Sequence, residues 1–164
     1  MTKCAIWEQL HLNFYTQYSY NKWHGSSELC PLCQESPDDV FHIILDCAFT
    51  NSVWTELQPF LLRLVARNVS DQEKALGIVD VKPSPGILLR NWVTFKVREQ
   101  IMALERKAHY SGRPSLDSFK AQFNQVMADD VRRVFYRFMN ESSKSKVNEL
   151  IAHSRISVGA LIQK

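Results

Sequence analysis

No stretch of this chain approaches the roughly 18 consecutive apolar residues that a membrane-crossing helix needs. The opening residues, MTKCAIWEQLHLNF, also lack the continuous apolar segment of a secretion signal. These absences point to a reducing intracellular setting, nuclear and cytoplasmic, with no membrane partner. Glycine and proline are scarce, five and six among 164 residues, which argues against an all-β protein built on many tight turns. There is no internal repeat and no low-complexity tract. A large excess of one charge is missing too: the net charge of +3 falls well short of announcing a nucleic-acid partner by itself, so the position of the charges has to decide. What is present is ample material for a core, with 45% hydrophobic and 11% aromatic residues.

Cysteine is also rare, four residues in all, yet three of them crowd into LCPLCQESPDDVFHIILDC. Cys30, Cys33, His42 and Cys47 are spaced Cys-x2-Cys-x8-His-x4-Cys. Three thiolates and one imidazole make a closed tetrahedral zinc set with no position left for substrate, and closed sites are structural. Pro31 suits a tight knuckle whose backbone amides point at sulfur, and Ser36, Pro37 and two aspartates give the intervening loop a turn composition. His42 lies on the apolar run Val40 to Leu45, which reads as a short helix. Side chains five apart on an ideal α-helix diverge by roughly 140°, so that helix is expected to end or loosen near Asp46, with His42 inside it and Cys47 at its end. The competing readings are ordinary buried cysteines with a core histidine, or disulfides; a reduced chain uses clustered cysteine for metal more often than for crosslinks. Cys4, outside the set, reads as a small buried residue of the first helix.

The expected fold is mainly α, with a small Cys3His zinc knuckle packed on a helical array and an antiparallel helix pair toward the C-terminus. Residues 1–69 would hold a first helix from about Ala5 to Tyr18, an approach Tyr18 to Gly25, the knuckle, and a docking helix from about Asn51 to Asn68. That docking helix carries Val53, Trp54, Leu57, Leu61 and Leu64 on one stripe. Residues 70–86 read as a linker, closed by Pro83-Ser84-Pro85-Gly86. Residues 87–164 would form a second lobe. Its long helix, about Ile87 to His109, has an apolar face broad enough to meet more than one neighbour. Its second helix, from Leu116 to about Phe138, is capped by Ser115, and a short fifth helix at Lys146 to His153 is possible on pattern alone.

The stretch from about Leu10 to Leu57 resembles the zinc-binding module that follows the reverse transcriptase domain in polyproteins of non-LTR retrotransposons, the LINE elements. The likeness is carried by LHLNFYTQ, Tyr20-Asn-Lys22-Trp23-His24-Gly25, Cys-Pro-Leu-Cys, an acidic turn, Phe41-His42 with apolar residues behind it, Cys47, and Val53-Trp54-x2-Leu57. Asp38-Asp39-Val40 and Ala48-Phe49 stand where the family more often has other residues. Downstream, ILLRNWVTFKVREQI resembles the family's helix after a proline-containing linker. The resemblance implies a part of a polyprotein without its polymerase and endonuclease. Met127-Ala128-Asp129-Asp130 echoes the paired aspartates of a polymerase palm, but such a pair belongs on a β-hairpin and this one falls mid-helix, so no catalytic residue is expected.

Nucleic acid, template RNA or target DNA, is the leading expected partner, alongside the rest of a retrotransposon polyprotein; no small-molecule substrate is expected. Lys96, Arg98, Arg106 and Lys107 on the long helix and Arg132, Arg133 and Arg137 on the next could fork onto phosphates without reading sequence. Lys22, Trp23 and His24 interleave aromatic with basic character, as a base-stacking platform does. The alternatives are a solvated face, where Glu99, Glu105, Asp129 and Asp130 intersperse the cations, and core packing beneath the knuckle for Trp23. A rival function of another class is a protein-interaction or scaffolding domain, host-domesticated after loss of the polymerase.

Overall fold

The computed structural model describes residues 29–78, 82, 84–133, 141–142 and 144–145. The first helix, the aromatic approach with Lys22, Trp23 and His24, Cys4, Arg137 and the short fifth helix therefore lie outside the described residues, as do the side chains of Arg132 and Arg133. Within them the chain is a knuckle followed by four α-helices, α1 (Ala48–Leu64), α2 (Asp71–Leu76), α3 (Pro85–Ser111) and α4 (Leu116–Arg133). No β-strand occurs among the described residues; a single antiparallel bridge joins Leu29 to Pro37 across the knuckle.

Helix α1 begins three residues earlier than its apolar pattern suggests, because Cys47 ends the preceding turn and starts the helix at once. Val53, Trp54, Leu61 and Leu64 are buried along it, and the Trp54 indole N–H donates to the Ile44 carbonyl at 3.1 Å, docking the helix on the knuckle as its stripe implied. Pro59 sits inside the helix on its exposed side. The carbonyl it leaves without an amide belongs to Thr55, also exposed, so water can satisfy it.

The stretch expected to be an irregular linker contains α2. Its local signals are a cap and a stop: Ser70 Oγ accepts from the Glu73 amide at 3.2 Å, Asp71 and Glu73 occupy the first turn, and Gly77 ends it at φ 82°, a conformation that favours glycine. Asn91 then clasps the chain just beyond, accepting from the Ile78 amide at 2.7 Å and donating to the Ile78 carbonyl at 2.9 Å.

Helix α3 opens where Ser84 Oγ accepts from the Ile87 amide at 3.2 Å with Pro85 in its first turn, and it closes at Gly112. Its broad apolar face touches the knuckle turn, α1, α2 and α4. Leu89, Trp92, Val93, Val97, Ile101, Met102, Leu104 and Ala108 are all buried there, in one hydrophobic cluster that runs from Cys30 to Phe123. Ser115 Oγ accepts from the Ser118 amide at 3.1 Å, capping α4, whose Phe119 and Phe123 stack at 5.6 Å between centroids and join the same cluster, where α4 meets α3. The sequence Met127 to Asp130 lies within α4, on helical backbone.

One cation organises this packing. Arg90 is fully buried. Its Nη1 donates to the carbonyls of Leu61, Val65 and Arg67 at 2.9, 2.7 and 2.8 Å. Its Nε and Nη2 fork onto the two oxygens of Glu73, itself 2% exposed. Arg90 thus adds a donor to carbonyls at and just beyond the C-terminus of α1 and fastens α2 to α3 at the same point. Beside it, Gly86 approaches the end of α1 so closely that a Cβ there would lie 2.4 Å from the Leu64 carbonyl oxygen.

Arg90→Met is expected to destabilise the fold by roughly 3–5 kcal/mol, since the buried Glu73 would keep only the more distant, half-exposed Arg67 guanidinium as counter-charge; chemical denaturation with fluorescence detection measures it. Gly86→Ala should cost about 1–3 kcal/mol by forcing α3 away from the end of α1. Unchanged unfolding midpoints in both variants would contradict these roles at the α1–α3 junction.

Candidate metal centre

The first two donors sit on one tight turn. The Cys30 amide donates to the Ser36 carbonyl at 2.8 Å and the Gln34 amide returns to the Cys30 carbonyl at 2.7 Å, with Gln34 in the left-handed region at φ 63°. That reversal aims the Glu35 amide at Cys33 Sγ, 3.5 Å away, an amide-to-sulfur contact of the kind a knuckle uses to stabilise thiolate charge.

The other two donors come from an unusual helical turn. His42–Asp46 is a π-helix, closed by the Cys47 amide donating to the His42 carbonyl at 2.7 Å, an i→i+5 bond. An α-helix would throw these two side chains apart; the extra residue in the turn brings them to one side. Asp39 starts the turn, its carboxylate accepting from the His42 amide at 3.0 Å. His42, Ile43 and Ile44 are buried, so the turn is anchored on the core by its apolar residues while its histidine faces the sulfurs.

The four donors converge. Cys33 Sγ lies 3.2 Å from His42 Nε2, Cys30 Sγ lies 4.0 Å from Cys47 Sγ, and all four ligand atoms fall within 4.8 Å of one another. A tetrahedral zinc with Zn–S near 2.3 Å and Zn–N near 2.0 Å would separate its ligands by about 3.5–3.8 Å, and this cage brackets that range. The three cysteines are free and buried, and the Cys30–Cys47 spacing is about twice a disulfide bond. Every donor is buried, which suits a closed structural site. The cofactor is zinc.

Electrostatics already favour thiolate at Cys47. Cys47 is the N-cap of α1. Its thiol is lowered to about 5, first by the hydrogen bond from Cys30 and then by the Thr50 and Phe49 amides, against the opposing effect of burial. Cys30, which donates that hydrogen bond, is pushed up by it and by its own burial. Cys30 and Cys47 would hold the ion as thiolates, zinc supplying the positive charge that the shared proton supplies without it.

The N-terminal third carries the decisive likeness. Residues 1–54 match the family model for zinc-binding in reverse transcriptase. The matched segment contains all four donors and ends on Trp54, the residue that docks α1 against the knuckle. Neither the curated proteins nor the solved structures give a match to this chain.

The cations named from the sequence divide sharply. Arg98 is buried, donating to the Ala75 carbonyl at the end of α2 and lying 5.9 Å from the Phe95 ring; burial lowers its guanidinium to about 10, so it stays charged at neutral pH. Lys96 is also buried, its ammonium 2.8 Å from Glu99. The expectation that these two face phosphate is therefore corrected: Arg98 serves as a cap for α2, and Lys96 lies against its own helix. Arg106 and Lys107 are exposed. Arg90, which the sequence presents as one more cation on the long helix, is the structural hub instead.

Replacing Cys33 with Ser, or removing zinc with a chelator, should loosen the π-turn and release the Trp54–Ile44 hydrogen bond, with a weaker helix signal and a red-shifted tryptophan emission. Purified chain without stoichiometric zinc, or a Cys33→Ser melting curve that overlays the parent's, would contradict the assignment.

Proposed function

We propose that this chain is a non-catalytic, zinc-stabilised nucleic-acid-binding module of the LINE reverse transcriptase kind, which positions template RNA or target DNA during retrotransposition. The carrying observation is the family match over the segment that contains the whole Cys3His cage. The cage is closed, so its role is to hold the turn and α1 in place, and any contact with nucleic acid falls to the surfaces it positions.

Among the described residues, the end of α3 and the turn into α4 support that reading best. Arg106, Lys107 and Arg113 are exposed there. A cavity of about 400 Å³ opens beside them, lined in part by Lys107, Ser111, Arg113, Ser115 and Ser118. Cations and hydroxyls on a concave surface suit a phosphate backbone and carry no sequence information. The further contacts expected from the sequence, Arg132, Arg133 and Arg137 for phosphate and Lys22, Trp23 and His24 for stacking, are proposed on the sequence alone, their side chains lying outside the described residues. The broad apolar face of α3 is covered by its own neighbours, which leaves less reason for a protein partner on that helix. The helical placement of Asp129 and Asp130 is likewise unlike a palm hairpin.

Binding of single-stranded RNA and duplex DNA should weaken linearly in log affinity against log salt. Replacing Arg106, Lys107 and Arg113 with Gln should flatten that slope by up to about 2–3, at roughly 0.7–0.9 for each phosphate no longer neutralised. An unchanged slope in the folded variant would take this end of α3 out of the interface. Absence of binding by the parent at low salt would favour the protein-interaction reading.

A further inference from the structure

A second set of donors lies away from the zinc cage, where the knuckle loop meets α3. Asp38, from the loop between Cys33 and His42, is fully buried. Glu105 and His109 stand one turn apart on α3 and so share a face. One donor atom from each of the three residues falls within 4.8 Å of the other two, and His109 Nε2 is 2.8 Å from Glu105 Oε1. The second oxygen of Glu105 is buried without a hydrogen-bond partner among the described residues, although the side chain is only 1% exposed.

That arrangement is costly as it stands. Two carboxylates come within 4.8 Å of one another in a buried setting, and the His109 imidazole is hydrogen-bonded to that of Glu105. Burial raises the Glu105 carboxyl from its ordinary range, His109 draws it back, and Asp38 raises it further. A divalent ion would remove the repulsion and give the idle oxygen a partner. The set is carboxylate and imidazole without sulfur, which suits zinc, manganese or ferrous iron and differs from the thiolate cage.

We propose that Asp38, Glu105 and His109 form a second divalent-metal site that ties the zinc-knuckle loop to α3. Donors around an ion at about 2.0–2.2 Å lie some 3–3.5 Å apart, a modest closure of the present cluster. In this role the Glu105–His109 hydrogen bond yields to coordination, and Asp38 is held to α3 by the ion. Three protein ligands leave coordination positions for water, so the site can exchange its ion more readily than the closed cage.

The test counts metal on the full chain. After loading with excess zinc and removal of the unbound ion, native mass spectrometry should find two zinc ions per chain in the parent and one in His109→Ala. The His109 side chain is 25% exposed, so its truncation should leave the fold intact where Glu105→Gln could disturb it. With cobalt in place of zinc, the thiolate charge-transfer bands should be identical in parent and His109→Ala, while the affinity of the second ion falls at least tenfold, about the lower end of what removal of a merely supporting residue causes. A single ion in the parent at saturating zinc would overturn the proposal and leave the carboxylates sharing a proton. Two ions retained in His109→Ala would overturn it as well.

Discussion

Tetrahedral coordination obliges His42 and Cys47 to approach one ion from the same side, although five residues on a helix point them apart. The chain meets this with a single i→i+5 turn. Its consequences run outward from there. Cys47 becomes at once the last residue of that turn and the N-cap of α1, so the direction of a 17-residue helix is set by a metal ligand. The amides of the new helix in turn stabilise the thiolate that the metal needs. Trp54 and Ile44 then lock the helix to the turn that launched it. Coordination, helix direction and core packing are therefore one constraint expressed three times.

At the far end of α1 a different kind of bond takes over. Arg90 gathers three carbonyls and a buried carboxylate, joining α1, α2 and the segment between them to α3. A buried ion pair of this type contributes little net stability compared with a well-packed apolar core, but it is exacting about geometry. The knuckle fixes where α1 begins, and the guanidinium fixes where it ends.

The sequence was most legible where chemistry is concentrated in rare residues. The four zinc donors stand out because cysteine is scarce elsewhere, and the i,i+5 divergence already required a loosened turn, though it did not specify which kind. Serine before a periodic apolar run marked the start of α4 for the same reason it marks α2 and α3: a hydroxyl that accepts from the amide three residues on. Helix α2 was obscured by the prolines that follow it, although Ser70, Asp71, Glu73 and Gly77 carry its cap, dipole and stop signals. The cations of α3 misled because a charged residue on a helix reads as solvent-facing. Arg90, Thr94, Arg98, Ile101 and Glu105 recur at three- and four-residue steps along a buried face. Whether such a stripe is surface or interior depends on partners distant in sequence, here Glu73, Ala75 and the Leu61 carbonyl.

The close approach of Gly86 to the Leu64 carbonyl has a consequence for how these helices can drift apart over time. Contacts between side chains can widen or narrow as residues change size, but this one is between a Cα and a main-chain oxygen. Substitution at Leu64 or Leu89 cannot alter the separation there; it can only change the angle at which α1 and α3 diverge from it. The junction thus behaves as a pivot. Variation in the core beyond it would swing the far end of α3, with Arg106, Lys107 and the turn into α4, through an arc while leaving the Arg90 end nearly still.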